Sequence, residues 1–206
     1  DWAEVNFAAV DQATDTPTNN FATLNPVDVR TGFNLTLTEG NLTGYQSTSS
    51  AKTQYSTLAM SKGKFYMEGK FISYDSGNQD CAFGITDTTA SSIIYGSEHM
   101  MGNLGSADSM SYYSSTGYKY VNGTSSSYAD TFVVNDIIGV ALDMDNKFIY
   151  FSKNGTWQTS GDPTSGATGT GGLALSATFE YVYFGITQWR SKSSVNFGNP
   201  PYATSS

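Results

Sequence analysis

Histidine and cysteine are nearly absent from this chain, whose 206 residues include one of each, His99 and Cys81. An internal disulfide is therefore excluded, as is a zinc site built from the chain's own imidazoles and thiolates. A Ser-His-Asp arrangement would have to use His99, in the Gly-flanked loop sequence "GSEHMMGN", where a solvated side chain is expected. Cys81 lies in the apolar run "CAFGIT" and reads as a buried, inert thiol. Positive charge is scarce too. Lys and Arg number 10 against 18 Asp and Glu, a formal net charge of −8, and the basic residues are scattered singly. No basic stripe exists to neutralise phosphates, so neither nucleic acid nor an anionic lipid surface is expected as a partner. No apolar run approaches the roughly 18 residues of a membrane-spanning helix, so membrane insertion is not expected either. No signal peptide opens the chain, which begins at Asp1 without Met. A processed product or a piece of a longer protein is the expectation.

What the chain has in quantity is hydroxyl and aromatic side chains. Ser and Thr make up about a quarter of it and aromatics 14%. That mixture suits a secreted or surface-displayed β-protein with a polar skin, and it is too rich in aromatic and β-branched residues for a disordered chain. Sequons at Asn34, Asn41, Asn122 and Asn154 carry weight only in a eukaryotic secretory pathway.

No segment sustains a 3.6-residue apolar period, whereas several alternate with a period of two. "FNLTLTEGNLTGY" alternates on either side of a Glu39-Gly40-Asn41 turn. "GKFYMEGKFIS" puts Phe65, Met67 and Phe71 on one face and Tyr66, Glu68 and Lys70 on the other. "DCAFGIT" and "SSIIYG" read as short strands, and "GYKYVNGTSSSY" as a strand entering an Asn122-Gly123 turn. In "DIIGVALDMDNKFIYFSKNG" the chain reverses at Asp145-Asn146 and ends in an Asn154-Gly155 turn. "GDPTSGATGTGG", Gly161 to Gly172, is a loop by composition. "LALSA", "YVYFGITQW" and "SSVNFG" complete about a dozen strands. With no linker and no repeat, the chain reads as one all-β domain over residues 1–206, a two-layer antiparallel β-sandwich. Residues 1–30 form a segment that packs on the sandwich or leads into it.

The order "GKFYMEGKF", "CAFGIT", "DIIGVALDMDNKFIYFSKNGTW", "SSVNFGNPPY" resembles the SPRY domain, over about residues 30 to 202. Two places depart from that pattern. Asn135-Asp136 stands where the family usually has Gly-Asp, and "YVYFGITQW" stands where many animal members have a Pro-containing strand. The phrase "DTPTNNFATLNP", Asp15 to Pro26, is similar to segments of SPRY-like proteins of marine bacteriophages. The resemblance implies a concanavalin-like jelly-roll sandwich, no catalytic role and no cofactor, with loops at one end holding a protein or peptide partner.

The residues offer little for catalysis. Read as a calcium loop, "DMDNKFIYFSKN" supplies Asp143 and Asp145 but has Phe148 where the sharp turn needs Gly, and Asn154 where a bidentate Glu is required. A glycosidase needs two carboxyls about 5–10 Å apart. Glu68, Glu98, Asp143 and Glu180 are the candidates by type, without the Glu-x-Asp-x-Glu strand of lectin-like glycosidases. "GATGTGG" lacks the Gly-Lys-Ser/Thr of a phosphate loop and reads as a flexible turn.

Binding is better supplied. Tyr95, Tyr112, Tyr113, Tyr118, Tyr120 and Tyr128 crowd a Ser- and Gly-rich region, as rigid amphipathic rings do in paratopes. Trp157 and Trp189 could serve likewise, or stack on sugar rings. The expectation is a non-catalytic recognition or structural module, displayed on the virion surface of a phage tail or fibre, or otherwise extracellular. Its site is taken as Tyr95, Tyr112, Tyr113, Tyr118, Tyr120 and Trp157, with no metal. Candidate partners are a host-surface protein, a cell-surface glycan and neighbouring virion subunits. The alternative is a lectin-like domain that binds or degrades polysaccharide.

Overall fold

Strand pairing follows the period-two stretches, and the turns fall where the sequence supplies residues that tolerate a left-handed backbone. The structure, a computed structural model, describes residues 20–27, 34–75, 80–87, 100–102 and 109–198. The strands are β1 (Thr36–Thr38), β2 (Thr43–Tyr45), β3 (Lys52–Met60), β4 (Lys64–Tyr74) and β5 (Asp80–Thr86). Then come β6 (Ser109–Tyr113), β7 (Tyr118–Val121), β8 (Thr124–Ser127), β9 (Ile137–Asp143) and β10 (Phe148–Lys153). Last are β11 (Thr156–Trp157), β12 (Leu173–Ala174), β13 (Val182–Trp189) and β14 (Ser191–Asn196). Asn122 and Gly123 both take positive φ between β7 and β8, as Asn154 and Gly155 do between β10 and β11. Asn-Gly is the pair that reaches this geometry at least cost.

All pairings are antiparallel. The larger sheet has the order β1-β2-β14-β4-β9-β10-β11, with β12 also paired to β10, and the smaller sheet runs β3-β13-β5-β6-β7-β8. Alternate residues of each strand point between the sheets. Met67, Ile138, Val140, Ile149 and Phe151 from the larger sheet meet Phe83, Ile85, Met110, Tyr112 and Ile186 from the smaller one. Each is 2% exposed or less, and full burial of such a side chain stabilises by about 1.5–3 kcal/mol. Gly69 belongs to this interior: a Cβ there would lie 2.1 Å from the Phe83 ring, so the missing side chain is what lets Phe83 pack flat on β4.

The paired aspartates of the β9–β10 hairpin serve the turn. Asp143 Oδ1 accepts the Asn146 backbone N–H at 2.9 Å, and Oδ2 accepts the Asn146 side-chain amide at 2.9 Å. Asp145 Oδ1 accepts the Gly63 N–H at 3.0 Å, tying this turn to the start of β4. Residues 20–27 lie along β3, with Thr23 O accepting from Thr57 N–H and Asn25 N–H donating to Tyr55 O, both at 2.8 Å. Leu24, fully buried, bridges to Ser56. The rest of the 1–30 segment and the "SSIIYG" strand lie outside the described residues.

Three expectations change. Only Leu173–Ala174 of "LALSA" pairs as a strand. Phe65, the second residue of β4, is 37% exposed instead of joining the core. The Gly161 to Gly172 loop, whose "GATGTGG" run reads as a flexible turn, is folded on itself. Asp162 N–H donates to Thr170 O at 2.9 Å, Ser165 Oγ donates to Asp162 O at 2.6 Å, and Gly166–Thr168 forms a single 3-10 turn. Small residues here close hydrogen bonds within the loop instead of leaving it loose. No helix among the described residues is long and apolar enough to cross a membrane.

Candidate functional site

Strand alternation separates the tyrosines that sequence proximity had grouped. Tyr112 points between the sheets. It is fully buried, its ring packs on Phe132, Tyr128 and Phe151 with centroids 5.0–5.6 Å away, and its hydroxyl donates to the Asp130 carbonyl. Tyr112 is a core residue, and the expectation that it touches a partner is corrected. Tyr113, one residue on, faces the other way, onto the outer side of the smaller sheet. It is nonetheless 6% exposed, because residues 100–102 cross that side. Its hydroxyl donates to Asp80 Oδ2 at 2.7 Å, beside a 3.1 Å bond from Ser114 Oγ to Oδ1. Burial first, then that hydrogen bond, raise the Tyr113 pKa well above the ordinary phenol value. It too is withdrawn from the surface. Tyr120 packs edge-on against Tyr113 at 5.3 Å. Of the expected cluster, Tyr118 is the ring that stands open, at 39% exposure. Tyr95, Glu98 and His99 lie outside the described residues.

Trp157 is on the opposite sheet, and the structure gathers a different set around it. The register places Tyr66 (β4), Ala141 (β9) and Tyr150 (β10) in one row across the outer face of the larger sheet. Glu68, Gly139, Ser152 and Trp157 form the next row. Ala141 is too small to fill the space between the flanking rings. The result is a groove of about 300 Å³, walled by Tyr66, Trp157 and Pro163, with Tyr150 and Ala141 below and Lys64 at its rim.

Tyr66 is held firmly although it is half exposed. Its hydroxyl donates to Glu68 Oε1 at 3.0 Å, and its ring meets the Trp157 ring edge-on, centroids 6.4 Å apart. Gly139 makes room for this pose, since a Cβ there would lie 2.4 Å from Ser152 Oγ and 2.6 Å from the Tyr66 hydroxyl. Desolvation, then the Glu68 hydrogen bond, push the Tyr66 pKa up to about 12. At the rim Lys64 Nζ lies 3.2 Å from Asp143 Oδ2. Burial of Asp143 opposes its ionisation, but the bonds from Asn146 and Lys64 outweigh it and hold its pKa below the ordinary carboxylate value.

The charged groups of this face are held in pairs along the strands. Glu68 stands four residues along β4 from Lys64, whose cross-strand partner is Asp143. The Cα atoms of Glu68 and Asp143 are therefore about 13 Å apart along the strand direction at roughly 3.3 Å per residue, and each carboxylate is already engaged, Glu68 by the Tyr66 hydroxyl and Asp143 by Asn146 and Lys64. Among the described residues no three His, Cys, Asp or Glu side chains group to hold a metal ion. Buried Cys81 has its pKa raised far above the usual thiol value, chiefly by desolvation, which leaves it a poor nucleophile. The sequence did contain a trace of the groove. In "KFYME" two aromatics are adjacent on one strand, so one of them must point out of the core.

An antiparallel sandwich of two sheets with an aromatic groove on one outer face belongs to the class of two-layer β-sandwich domains. The SPRY domain family model matches residues 71–200, which is 130 of 206 positions, and the chain belongs to the SPRY domain family. The match begins inside β4, just after the "GKFYMEG" motif. The fold is similar to that of the SPRY domain of human HERC1, with a TM-score of 0.61 at 14% identity, covering 80% of this chain and 92% of that one. It is also similar to another human SPRY domain, with a TM-score of 0.55 at 14% identity, covering 76% and 92%. No curated protein sequence matches the chain. SPRY domains are generally protein-interaction modules and not enzymes.

Proposed function

We propose that this chain is a non-catalytic recognition module on the surface of a phage particle, part of a tail or fibre, that holds a host-surface protein or a neighbouring virion subunit. The observation that carries the recognition reading is the outward pair Tyr66 and Trp157. Both rings are locked by hydrogen bonding or ring contact before any ligand arrives, so covering them costs little conformational entropy. The virion assignment is supported by the likeness of Asp15 to Pro26 to phage SPRY-like proteins.

Immunogold labelling with antibody to this domain should decorate intact particles. Label confined to disrupted particles would overturn surface display. Binding of the purified chain to host envelopes should be lost after protease treatment and survive periodate. The reverse result would favour the glycan reading, which exposed Tyr66 and part-buried Trp157 also support as a stacking platform for sugars.

A further inference from the structure

The Tyr66 groove continues past its own wall. On the far side of Phe65 and Tyr66 a second cavity of about 270 Å³ opens between the sheets, lined by Leu58 and Met60 of β3, Phe184 of β13 and Phe197 just beyond β14. Phe184 and Phe197 stack at 6.4 Å and make a flat apolar wall. Phe65 and Tyr66 at the junction, at 37% and 49% exposure, and Leu58 in the second cavity, at 46%, leave more apolar surface in water than lone surface residues would. The two cavities meet at Phe65 and Tyr66, which line both, so one extended segment crossing that ring pair would touch both.

The charges around the groove are unequal. Lys64 is neutralised by Asp143 at 3.2 Å. Glu68 and Asp162, which flank the groove next to Tyr66 and Pro163, have no ion pair among the described residues. Glu68 uses Oε1 for the Tyr66 hydroxyl, leaving Oε2 for another donor. A carboxylate beside two aromatic rings matches a guanidinium, which is planar, stacks on rings and donates in a fork. The chain's net charge of −8 favours the approach of a basic partner over an acidic one.

We propose that the two cavities form one bipartite groove for an extended segment of a partner protein. An arginine of that segment lies over Tyr66 and Trp157 with its guanidinium on Glu68, and an apolar side chain nearby in sequence fills the Leu58–Phe184–Phe197 cavity. This rests on the protein-recognition reading and adds the partner's chemistry and the face that holds it.

The test is selection of a random peptide library on the immobilised full chain, followed by affinities of the enriched peptides. Enriched sequences are expected to pair Arg with an aliphatic or aromatic residue one to three positions away. Their affinity should fall about tenfold or more, the scale of a central interface anchor, on Trp157→Ala and on Glu68→Gln. It should be unchanged by Tyr118→Ala, and each variant's melting curve serves as the folding control. Enriched peptides without Arg, or peptides indifferent to Trp157→Ala and Leu58→Ser in folded variants, overturn the groove proposal while the protein-recognition reading stands. Absence of any enriched peptide together with hits on a glycan array overturns both.

Discussion

The two sheets treat their outer faces in opposite ways. On the smaller sheet, residues 100–102 lie across the strands and are bonded to them at three points. Met101 N–H donates to Thr187 Oγ1 at 3.0 Å, Ser111 Oγ donates to Met101 O at 2.6 Å, and Gly102 N–H donates to Ser109 Oγ at 2.9 Å. Met100 of this segment packs with Ala51, Ala82 and Tyr113 beneath it in a second, smaller core, and every residue of β5 and β6 is buried. On the larger sheet the loop from Gly161 to Gly172 covers only part of the face. It closes over Tyr150, 1% exposed, and stops at Pro163, leaving Tyr66 half in water. Covered aromatics serve stability, and uncovered ones held in place are available for binding.

This contrast orders the effects of substitution. The largest is expected at Gly84 of β5, where a Cβ would lie 2.0 Å from the Met110 carbonyl oxygen of the neighbouring strand. Backbone must move, so Gly84→Ala should cost about 3 kcal/mol or more in urea unfolding. A loss below about 1 kcal/mol would mean that the covered face is looser than its hydrogen bonds indicate. Next, Tyr113→Phe removes the 2.7 Å donor to the buried Asp80 carboxylate, and about 1–3 kcal/mol of stability should go with it. On the open face Tyr66→Phe gives up a hydrogen bond to a partly exposed carboxylate and should cost about 1 kcal/mol or less. Equal losses at Tyr113 and Tyr66 would abolish the distinction between the faces.

The smallest effects concern pH, at both ends of the scale. Tyr66 has a folded pKa of about 12, above the ordinary phenol value of about 10. The stability it contributes is complete below about pH 10 and is lost as pH rises through 12. Tyr66→Phe should flatten that alkaline limb of a melting-temperature profile. The Asp143 carboxyl is depressed below the ordinary aspartate value of about 4. Its contribution is present above about pH 4 and disappears as pH falls through the folded pKa, so Asp143→Asn should soften the acid limb. An acid limb unchanged in that variant would mean that Lys64 and Asn146 do not hold the charge.

Fold and site differed in how far the sequence disclosed them. Hairpin chemistry is local. Asn122-Gly123, Asn154-Gly155 and the Asp143–Asn146 bond depend on residues within a few positions of one another, and the alternation that buries Met67 or Val140 can be read along a single strand. The groove is assembled from four strands and a loop whose members lie up to about a hundred residues apart. Tyr66 and Trp157 meet because β4, β9, β10 and β11 are neighbours in a particular register, with Gly139 vacating the space between them. Nothing near Tyr66 in the chain announces Trp157.

The same distinction explains why the tyrosine-rich stretch misled. Crowding of Tyr112, Tyr113, Tyr118 and Tyr120 in sequence suggests a common surface, yet adjacent residues on a strand face opposite ways. Residues 100–102 then bury even the outward ring. By itself the sequence determined the all-β class, the turns and the membership of the sandwich family, because these follow from short-range periodicity and backbone preference. Only the tertiary structure decided which aromatics are core and which are surface, because exposure depends on what crosses each sheet face.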